Sequence, residues 1–292
     1  MITGIIFTVL TGALWMLVGV IYSKAADKLK NYAAFMLVYA LTFATFVFAV
    51  RTPPMLPVKT LLPIAVTMVP AALLGLAGFW ALYVAMQKSS HAVAWTFVQS
   101  AMVVPFLGGW LFLGNQASWI NLSGAGTMLL ALVLLGKGKN SNDDAKKQAL
   151  SGMLWSIAAL LLTGASQFLT LIPGVWYADQ TDLLAWRLPL LTLSGVVVWL
   201  AVWLVRREKV DKLALFRGVS YGVVVALGQI MLYLALDALQ KFNLANAVYP
   251  AAITMCIVLF AIYCRIFRHE KFNFLTISGA ILMLGGSLLL FV

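Results

Sequence analysis

Three side chains able to make polar or aromatic contacts follow one another at intervals of four residues in an apolar part of the sequence. His91, Trp95 and Gln99 lie in the stretch MQKSSHAVAWTFVQSAMVVPF. An interval of four places side chains on one face of an α-helix. Lipid tolerates an indole more readily than an imidazole or an amide. The spacing therefore predicts a helix whose polar face is turned toward other helices or toward a solute path.

The pattern recurs in the second half of the chain. At an offset of 155 residues, the three side chains align in order with Asn246, Pro250 and Thr254. Polar side chains in membranes commonly hydrogen-bond across tight helix contacts, and this role stays open for each residue taken alone. Because the whole face is repeated, we expect the two faces to line a cavity.

Further aromatic and amide side chains share faces of other apolar segments. Trp15 and Gln167 stand at equivalent points of two segments, at an offset of 152 residues. Rings and amides suit hydroxyl-rich or aromatic solutes, through stacking and paired hydrogen bonds. For Trp15, packing against a neighbouring helix is an equal alternative. The candidate solute-binding residues are Trp15, Trp80, Tyr83, Trp95, Gln99, Gln167, Gln229, Tyr233, Asn246, Pro250 and Thr254.

Charged side chains inside the apolar segments are few. Arg187 lies in DLLAWRLPLL, five residues after Asp182. An unpaired guanidinium is costly in a membrane, so we expect it to reach outward to Asp179 and Asp182 or to face an aqueous vestibule. An outer gate, or an anchor for a ligand carboxylate or hydroxyl pair, is the other possibility. His91 is a candidate proton carrier, with a plain helix-start role as the alternative.

The composition explains why these side chains must sit within a membrane. Of 292 residues, 63% are hydrophobic and 10% are charged, with a mean hydropathy of +0.99. Soluble domains carry about 25% charged residues. The sequence therefore predicts an all-α integral membrane protein. With about 20 residues per span, the predicted spans are 2–22, 31–50, 61–86, 91–113, 118–136, 151–171, 183–205, 214–239, 243–264 and 272–292.

The net charge of +11 is distributed by loop. Sixteen Lys and Arg residues fall in alternate loops, beginning with the loop after the first span, and three fall on the other side. The positive-inside rule then predicts that the basic loops are cytoplasmic and that both termini face outward across a plasma membrane. Because the basic residues are dispersed over short loops, no nucleic-acid partner is expected.

The chain also shows signs of an internal duplication. Ser123-Gly124-Ala125 recurs as Ser278-Gly279-Ala280, and similar short matches occur in the same order along both halves. Five spans per repeat is an odd number, so the second repeat would enter the membrane in the opposite orientation. We predict a first five-helix repeat at 1–136, a cytoplasmic linker at 137–150 and a second repeat at 151–292.

These features resemble the drug/metabolite transporter (DMT) superfamily, in particular its ten-helix EamA-type members. The resemblance rests on the five-plus-five arrangement, on Pro250 early in the ninth span, and on glycines in the fifth and tenth spans. It implies a secondary transporter with a central cavity between the two repeats. The glycines are Gly124, Gly126, Gly279, Gly285 and Gly286.

The sequence contains no GxxxxGK[ST], HExxH or CxxC motif, so neither an ATP-driven pump, nor an enzyme, nor a cofactor is expected. We predict alternating-access transport of a small polar or amphipathic metabolite, such as a sugar-like nutrient or an amino acid. Export of drugs or toxic amphiphiles is one alternative. A non-transporting membrane scaffold or receptor subunit is another. The expected partners are the solute and membrane lipid, with the chain acting as a monomer or homodimer.

Overall fold

The described residues form α-helices joined by short loops, with no β-strand among them. The computed structural model describes residues 1–28, 30–50, 52–114, 116–137, 143–240, 242 and 244–290, without the side chains of 28, 136–137, 143–149, 240 and 245–247. Eight helices in this part of the chain are long and apolar enough to cross a membrane, and two shorter helices are apolar. The prediction of an all-α chain is confirmed, and the helices indicate a multi-pass membrane protein.

The first helices follow the predicted spans closely, since each apolar run is long enough to fix a helix locally. The predicted span 31–50, for example, corresponds to the helix Tyr32–Val50. The helices are α1 (Ile2–Lys28), α2 (Tyr32–Val50), α3 (Val58–Lys88), α4 (His91–Gln99), α5 (Val103–Phe112) and α6 (Trp119–Lys137).

The predicted fourth span is interrupted near its middle. A 3₁₀ turn, Ser100–Met102, separates α4 from α5. Pro105 has no backbone N–H to bond the Ala101 carbonyl, so the regular α-helical pattern is lost there. The interruption begins directly after Gln99, one of the predicted binding residues.

The remaining helices begin with one that extends into the predicted linker. Residues 138–142 of that linker lie outside the described residues, and the next helix already starts at Asp143. The helices are α7 (Asp143–Trp176), α8 (Thr181–Leu184), α9 (Arg187–Arg206), α10 (Lys212–Gln240), α11 (Ala245–Phe267) and α12 (Phe274–Leu289).

The predicted span 183–205 is divided into two helices. Pro189 cannot donate to the Ala185 carbonyl, and Pro is tolerated in the first turn of a helix. The chain accordingly ends α8 at Leu184 and starts α9 at Arg187. Arg187 is therefore the first residue of α9 and does not lie inside one continuous helix that covers the predicted span.

The helices pack in a pattern that involves both halves of the chain. Helix α1 packs against α10 and α11, while α7 packs against α3 and against the α4–α5 segment. Helix α6 pairs with α12, and α2 pairs with α9. Most helix contacts thus join one half of the chain to the other.

The two ends of this helix bundle can be told apart by the loops that meet there. Side-chain hydrogen bonds join the loops after α1, α3, α9 and α11 to one another, for example Asn31 to Asp211 at 3.3 Å and Arg268 to Asp27 at 2.6 Å. These loops carry many of the basic residues. We call this end the basic face and the other end the opposite face.

A compact aromatic cluster fills the bundle near the basic face. Tyr32 lies at its centre, with ring centroids 4.1 Å from Tyr83 and 5.5 Å from Trp199. Tyr22 is fully buried, its hydroxyl lies 2.5 Å from that of Tyr32, and it donates to the Phe79 carbonyl at 2.6 Å. The aromatic cluster comprises Tyr22, Tyr32, Phe35, Trp80, Tyr83, Trp199 and Tyr221.

The hydroxyl of Tyr22 gives a direct test of this packing. Tyr22→Phe should lower the free energy of unfolding by about 1–3 kcal/mol, because the Phe79 carbonyl would lose a buried donor. Tyr39→Phe is the matched control, since among the described residues the Tyr39 hydroxyl makes no side-chain hydrogen bond while its ring lies 4.7 Å from Tyr221. Thermal unfolding in detergent measures the stability of both variants. Equal stability of the two variants would contradict the assigned bonds.

Candidate functional site

On each of three helices, one side is buried near the basic face of the bundle and exposed near the opposite face. On α7, Leu160 is 5% exposed and Gln167, two turns further along, is exposed. On α10, Ala226 is 5% exposed whereas Tyr233, again seven residues on, is 56% exposed.

Helix α11 repeats this change in the reverse chain direction. Cys256 is fully buried, and Tyr249, seven residues nearer the opposite face, is 41% exposed. Residues seven apart lie on the same side of a helix. The sides that form the bundle core near the basic face therefore separate toward the opposite face.

Two of these exposed residues, Tyr249 and Tyr233, interact with residues of other helices. Trp15 of α1 lies 5.7 Å from the ring of Tyr249. Tyr233 of α10 interacts electrostatically with Tyr249 of α11 and with Arg187 of α9. We call the space bordered by Trp15, Gln167, Arg187, Tyr233 and Tyr249 the open cleft.

Arg187 reaches across to α7 from the start of α9. Its Nη2 donates a hydrogen bond to the Thr170 carbonyl, and Nη1 lies 3.3 Å from where a Cβ on Gly174 would be. Among the described residues, neither Asp179 nor Asp182 bonds this guanidinium, although the sequence suggested both as partners. Asp182 is exposed on α8.

The basic face, by contrast, is closed by a cluster of charged groups from three segments. Arg268 donates to both oxygens of Asp27, at 2.6 and 2.9 Å. His91 is 6% exposed, and its Nε2 lies 2.7 Å from Arg268 Nη2 and 3.3 Å from Asp27 Oδ1. The hydrogen bonds to Asp27 raise the pKa of Arg268, so this guanidinium stays charged. We call Asp27, His91, Arg268 and Glu270 the latch.

Glu270 connects the latch to the start of α4. Its Oε1 accepts the backbone N–H of His91 at 3.0 Å, and its Oε2 accepts from the Ser90 hydroxyl at 2.5 Å. The carboxylate thereby bonds N–H groups that have no partner within the helix and lies at the positive end of the helix dipole. Through this carboxylate, the loop after α11 in the second half is joined to α4 in the first half.

A second turn of the same sequence type occurs after α9. Arg206-Arg207-Glu208-Lys209 and Arg268-His269-Glu270-Lys271 share the pattern Arg-x-Glu-Lys, and they contain the only two glutamates in the chain. Their second residues have positive φ, 52° at Arg207 and 55° at His269.

The second turn also contacts a helix start in the first half. Glu208 Oε2 accepts the Ala34 N–H of α2 at 3.1 Å. Both turns hence use a glutamate to cap a helix of the other half. Sequence reasoning missed these glutamates, Asp27 and Arg268, although the repeated Arg-x-Glu-Lys pattern was available as a signal.

Other predicted binding residues are packed between helices. Trp95 is 2% exposed and donates to Cys256 Sγ at 3.3 Å, and Gln99 Nε2 lies 3.7 Å from the same sulfur. Thr254 pairs with Ser287 of α12 at 3.3 Å. Their described contacts are with protein groups, so the structure does not bring these three residues into the open cleft.

The remaining candidates are distributed over several environments. Trp80 and Tyr83 belong to the aromatic cluster, where Arg206 lies 4.9 Å over the Trp80 ring. Pro250 is buried, Gln229 is half-buried one turn before Tyr233, and the Asn246 side chain lies outside the described residues. Tyr249 was missed because it is not on the repeated polar face. Among the described residues, no group of three His, Cys, Asp or Glu side chains could hold a metal.

A separate groove of about 400 Å³ lies between α4, α11 and α12. It is lined mainly by apolar side chains such as Ile257 and Ile281, with Arg265 at its end near the basic face. None of the predicted binding residues lines it. The groove is therefore distinct from the open cleft.

The fold and the cleft define a multi-pass helical membrane protein that is closed at one end and open at the other. No protein-family model and no curated protein matches the sequence. Twenty-eight chains of solved structures match. One, described only as "Crystal structure of protein", is similar over 98% of this chain and 96% of its own length, with a TM-score of 0.59 and 11% identity. Because the identity is only 11%, this similarity shows a shared fold and carries no information about function.

Proposed function

We propose that the protein is a secondary transporter that moves a small organic solute by alternating access. The proposal rests on one observation along α7, α10 and α11: one side of each helix is buried near the basic face and exposed near the opposite face. A transporter needs a solute site that is open to one side of the membrane at a time. A scaffold with tightly packed halves would not need such a cleft.

The closed end of the bundle fits the same function. The aromatic cluster and the latch both lie between the cleft and the basic face, and the latch joins the two halves through few charged contacts. In this proposal the structure corresponds to the state open to the opposite face.

An inverted repeat of five plus five spans is part of the proposal and is supported by the helix pairing. The contacts of α1 with α10 and α11 correspond to those of α7 with α3 and the α4–α5 segment when the halves are exchanged. The same exchange of halves turns the α6–α12 pair and the α2–α9 pair each into itself. This arrangement accords with the resemblance to EamA-type members of the DMT superfamily. The positive-inside rule would then make the basic face cytoplasmic.

Transport by the purified protein in liposomes tests the proposal. The panel includes labelled sugars, amino acids, organic cations and aromatic carboxylates, preselected by thermal shift because a ligand stabilises the folded state it binds. At least one solute should cross faster than in protein-free liposomes. Gln167→Trp, which fills the cleft, should abolish this flux.

The control is Leu161→Trp on the same helix, where the side chain is 55% exposed. This variant adds a similar side chain away from the residues of the cleft and should retain the flux. If no solute of any class crosses, the proposal is wrong. Retained flux in Gln167→Trp would show that the open cleft is not the solute path.

A further inference from the structure

We propose that the open cleft selects a small organic monocarboxylate, with its carboxylate on Arg187 and an apolar or aromatic body against Trp15 and Tyr249. This inference rests on the proposed transport function and adds the chemical class of the solute. It follows from two features of the cleft: a guanidinium that has no carboxylate partner among the described residues, and an aromatic wall.

The cation is Arg187. In the part of the chain that the structure describes, its guanidinium makes a hydrogen bond to the Thr170 carbonyl and no ion pair with a carboxylate. A guanidinium has five donors, and an unpaired charge near the membrane interior is costly. The remaining donors are therefore available to an anion that enters the cleft.

The position of this guanidinium is restrained by α7. The Thr170 carbonyl holds one nitrogen, and Nη1 approaches the backbone of Gly174, where a Cβ would lie only 3.3 Å away. A planar fork held in this way matches the two oxygens of a carboxylate better than a single hydroxyl. Less conformational entropy is lost when a preorganised group binds its ligand.

The aromatic wall is formed by Trp15 and Tyr249. Their rings lie 5.7 Å apart at 52°. Trp15 is held against Gly228, where a Cβ would lie 3.0 Å from its Cδ1, so this ring is fixed from behind. Both rings are only partly buried, and they offer faces on which a planar apolar group can stack.

The number of cations at the open cleft limits the number of negative charges on the solute. Arg187 is the one cation among the residues that border the cleft, so it can pair with one carboxylate. A second carboxylate on the solute would be desolvated without a partner, which is costly. The cleft thus favours a single negative charge with an apolar body.

Binding of four related probes to the wild-type protein tests the inference. Phenylacetate should bind about 10- to 100-fold more tightly than phenylacetamide, because a hydrogen bond to a charged group is stronger than one between neutral groups. Phenethylamine, a cation, and acetate, which lacks the ring, should bind more weakly than phenylacetate. Titrations followed by intrinsic fluorescence or thermal shift give the order.

Variants of Arg187 assign the effect to this side chain. Arg187→Gln should remove the preference for phenylacetate over phenylacetamide, and Arg187→Lys should keep part of it. Lys59→Gln is the matched control, since it removes one exposed positive charge from the start of α3 at the same end of the bundle. This control should leave the preference unchanged.

The outcomes separate this inference from the proposed function. If phenylacetamide binds wild-type protein as tightly as phenylacetate, monocarboxylate selectivity is wrong even if Arg187→Gln does not fold. If other solutes cross the liposome membrane while carboxylates do not, transport stands and the inference fails. If the carboxylate preference persists in Arg187→Gln, the anchor lies elsewhere and the inference is also wrong.

Discussion

Replacing Glu270 with alanine should increase the reaction rate of Cys264 with a maleimide applied from the basic face about tenfold. Cys264 is fully buried on α11, and the Arg268 and Glu270 N–H groups both bond its carbonyl. The substitution removes the cap on α4 and the carboxylate 3.7 Å from Arg268 Nε. Losing such contacts costs about 1–2 kcal/mol, and about 1.4 kcal/mol corresponds to a tenfold change in the open population.

The experiment uses a Cys256→Ala background, so that Cys264 is the single thiol. Glu208→Ala is the matched control, because Glu208 stands in the other Arg-x-Glu-Lys turn and caps α2. Its Cys264 rate should stay within about twofold of the background. An unchanged rate in Glu270→Ala would show that Glu270 does not hold the basic face closed. Equal increases in both variants would mean that the effect is not local to the latch.

The crossing of α6 and α12 gives a second prediction with a large expected effect, here on stability. A Cβ on Gly286 would lie 2.8 Å from the Gly124 carbonyl oxygen and 2.9 Å from the Met128 nitrogen. A Cβ on Gly124 would lie 2.8 Å from the Gly286 carbonyl oxygen. Backbone atoms cannot yield as a side chain can, so Gly124→Ala and Gly286→Ala should each lower the free energy of unfolding by about 1–3 kcal/mol.

Neighbouring glycines on the same two helices provide the controls. A Cβ on Gly126 or Gly285 would have no neighbouring atom within 4 Å. Gly126→Ala and Gly285→Ala should therefore change the unfolding free energy by no more than about 0.5 kcal/mol. Thermal unfolding in detergent compares the four variants. Similar losses at all four positions would contradict the close backbone crossing and would point to a general need for glycine in these helices.

In the proposed transport function, the solute and the charged contacts of the latch would act on opposite ends of one bundle. In the proposed cycle, the latch holds the basic face closed while the cleft receives the solute. Movement of the halves would then separate Glu270 from α4 as the cleft closes. The Cys264 experiment tests whether the latch holds the basic face closed. The ligand titrations test whether the cleft receives the solute.

The helices themselves could be predicted well from the sequence. The predicted span 91–113 corresponds to the segment His91–Phe112, and the predicted span 31–50 to Tyr32–Val50. This agreement has a local cause, since a run of about 20 apolar residues in a membrane must satisfy its backbone hydrogen bonds within the helix. The break before Arg187 was missed, although Pro189, which causes it, is itself visible in the sequence.

The candidate site was predicted only in part. The open cleft as defined above includes four residues that were predicted from residue type and position, and their binding role stays a prediction: Trp15, Gln167, Arg187 and Tyr233. Trp95 was predicted on the same grounds, yet its indole N–H donates a hydrogen bond to Cys256 Sγ. Helical spacing indicates which residues share a face of one helix. It does not tell whether that face meets another helix or open space.

The sequence by itself determined that this chain is a set of apolar helices with polar faces and basic loops, because hydropathy and helical period act over a few turns. Only the tertiary structure decided which faces separate and which groups close the bundle. Asp27 and Arg268 are 241 residues apart in the chain, and their pairing depends on how α1 and α11 pack. That arrangement follows from side-chain packing across many helices, which no local pattern encodes.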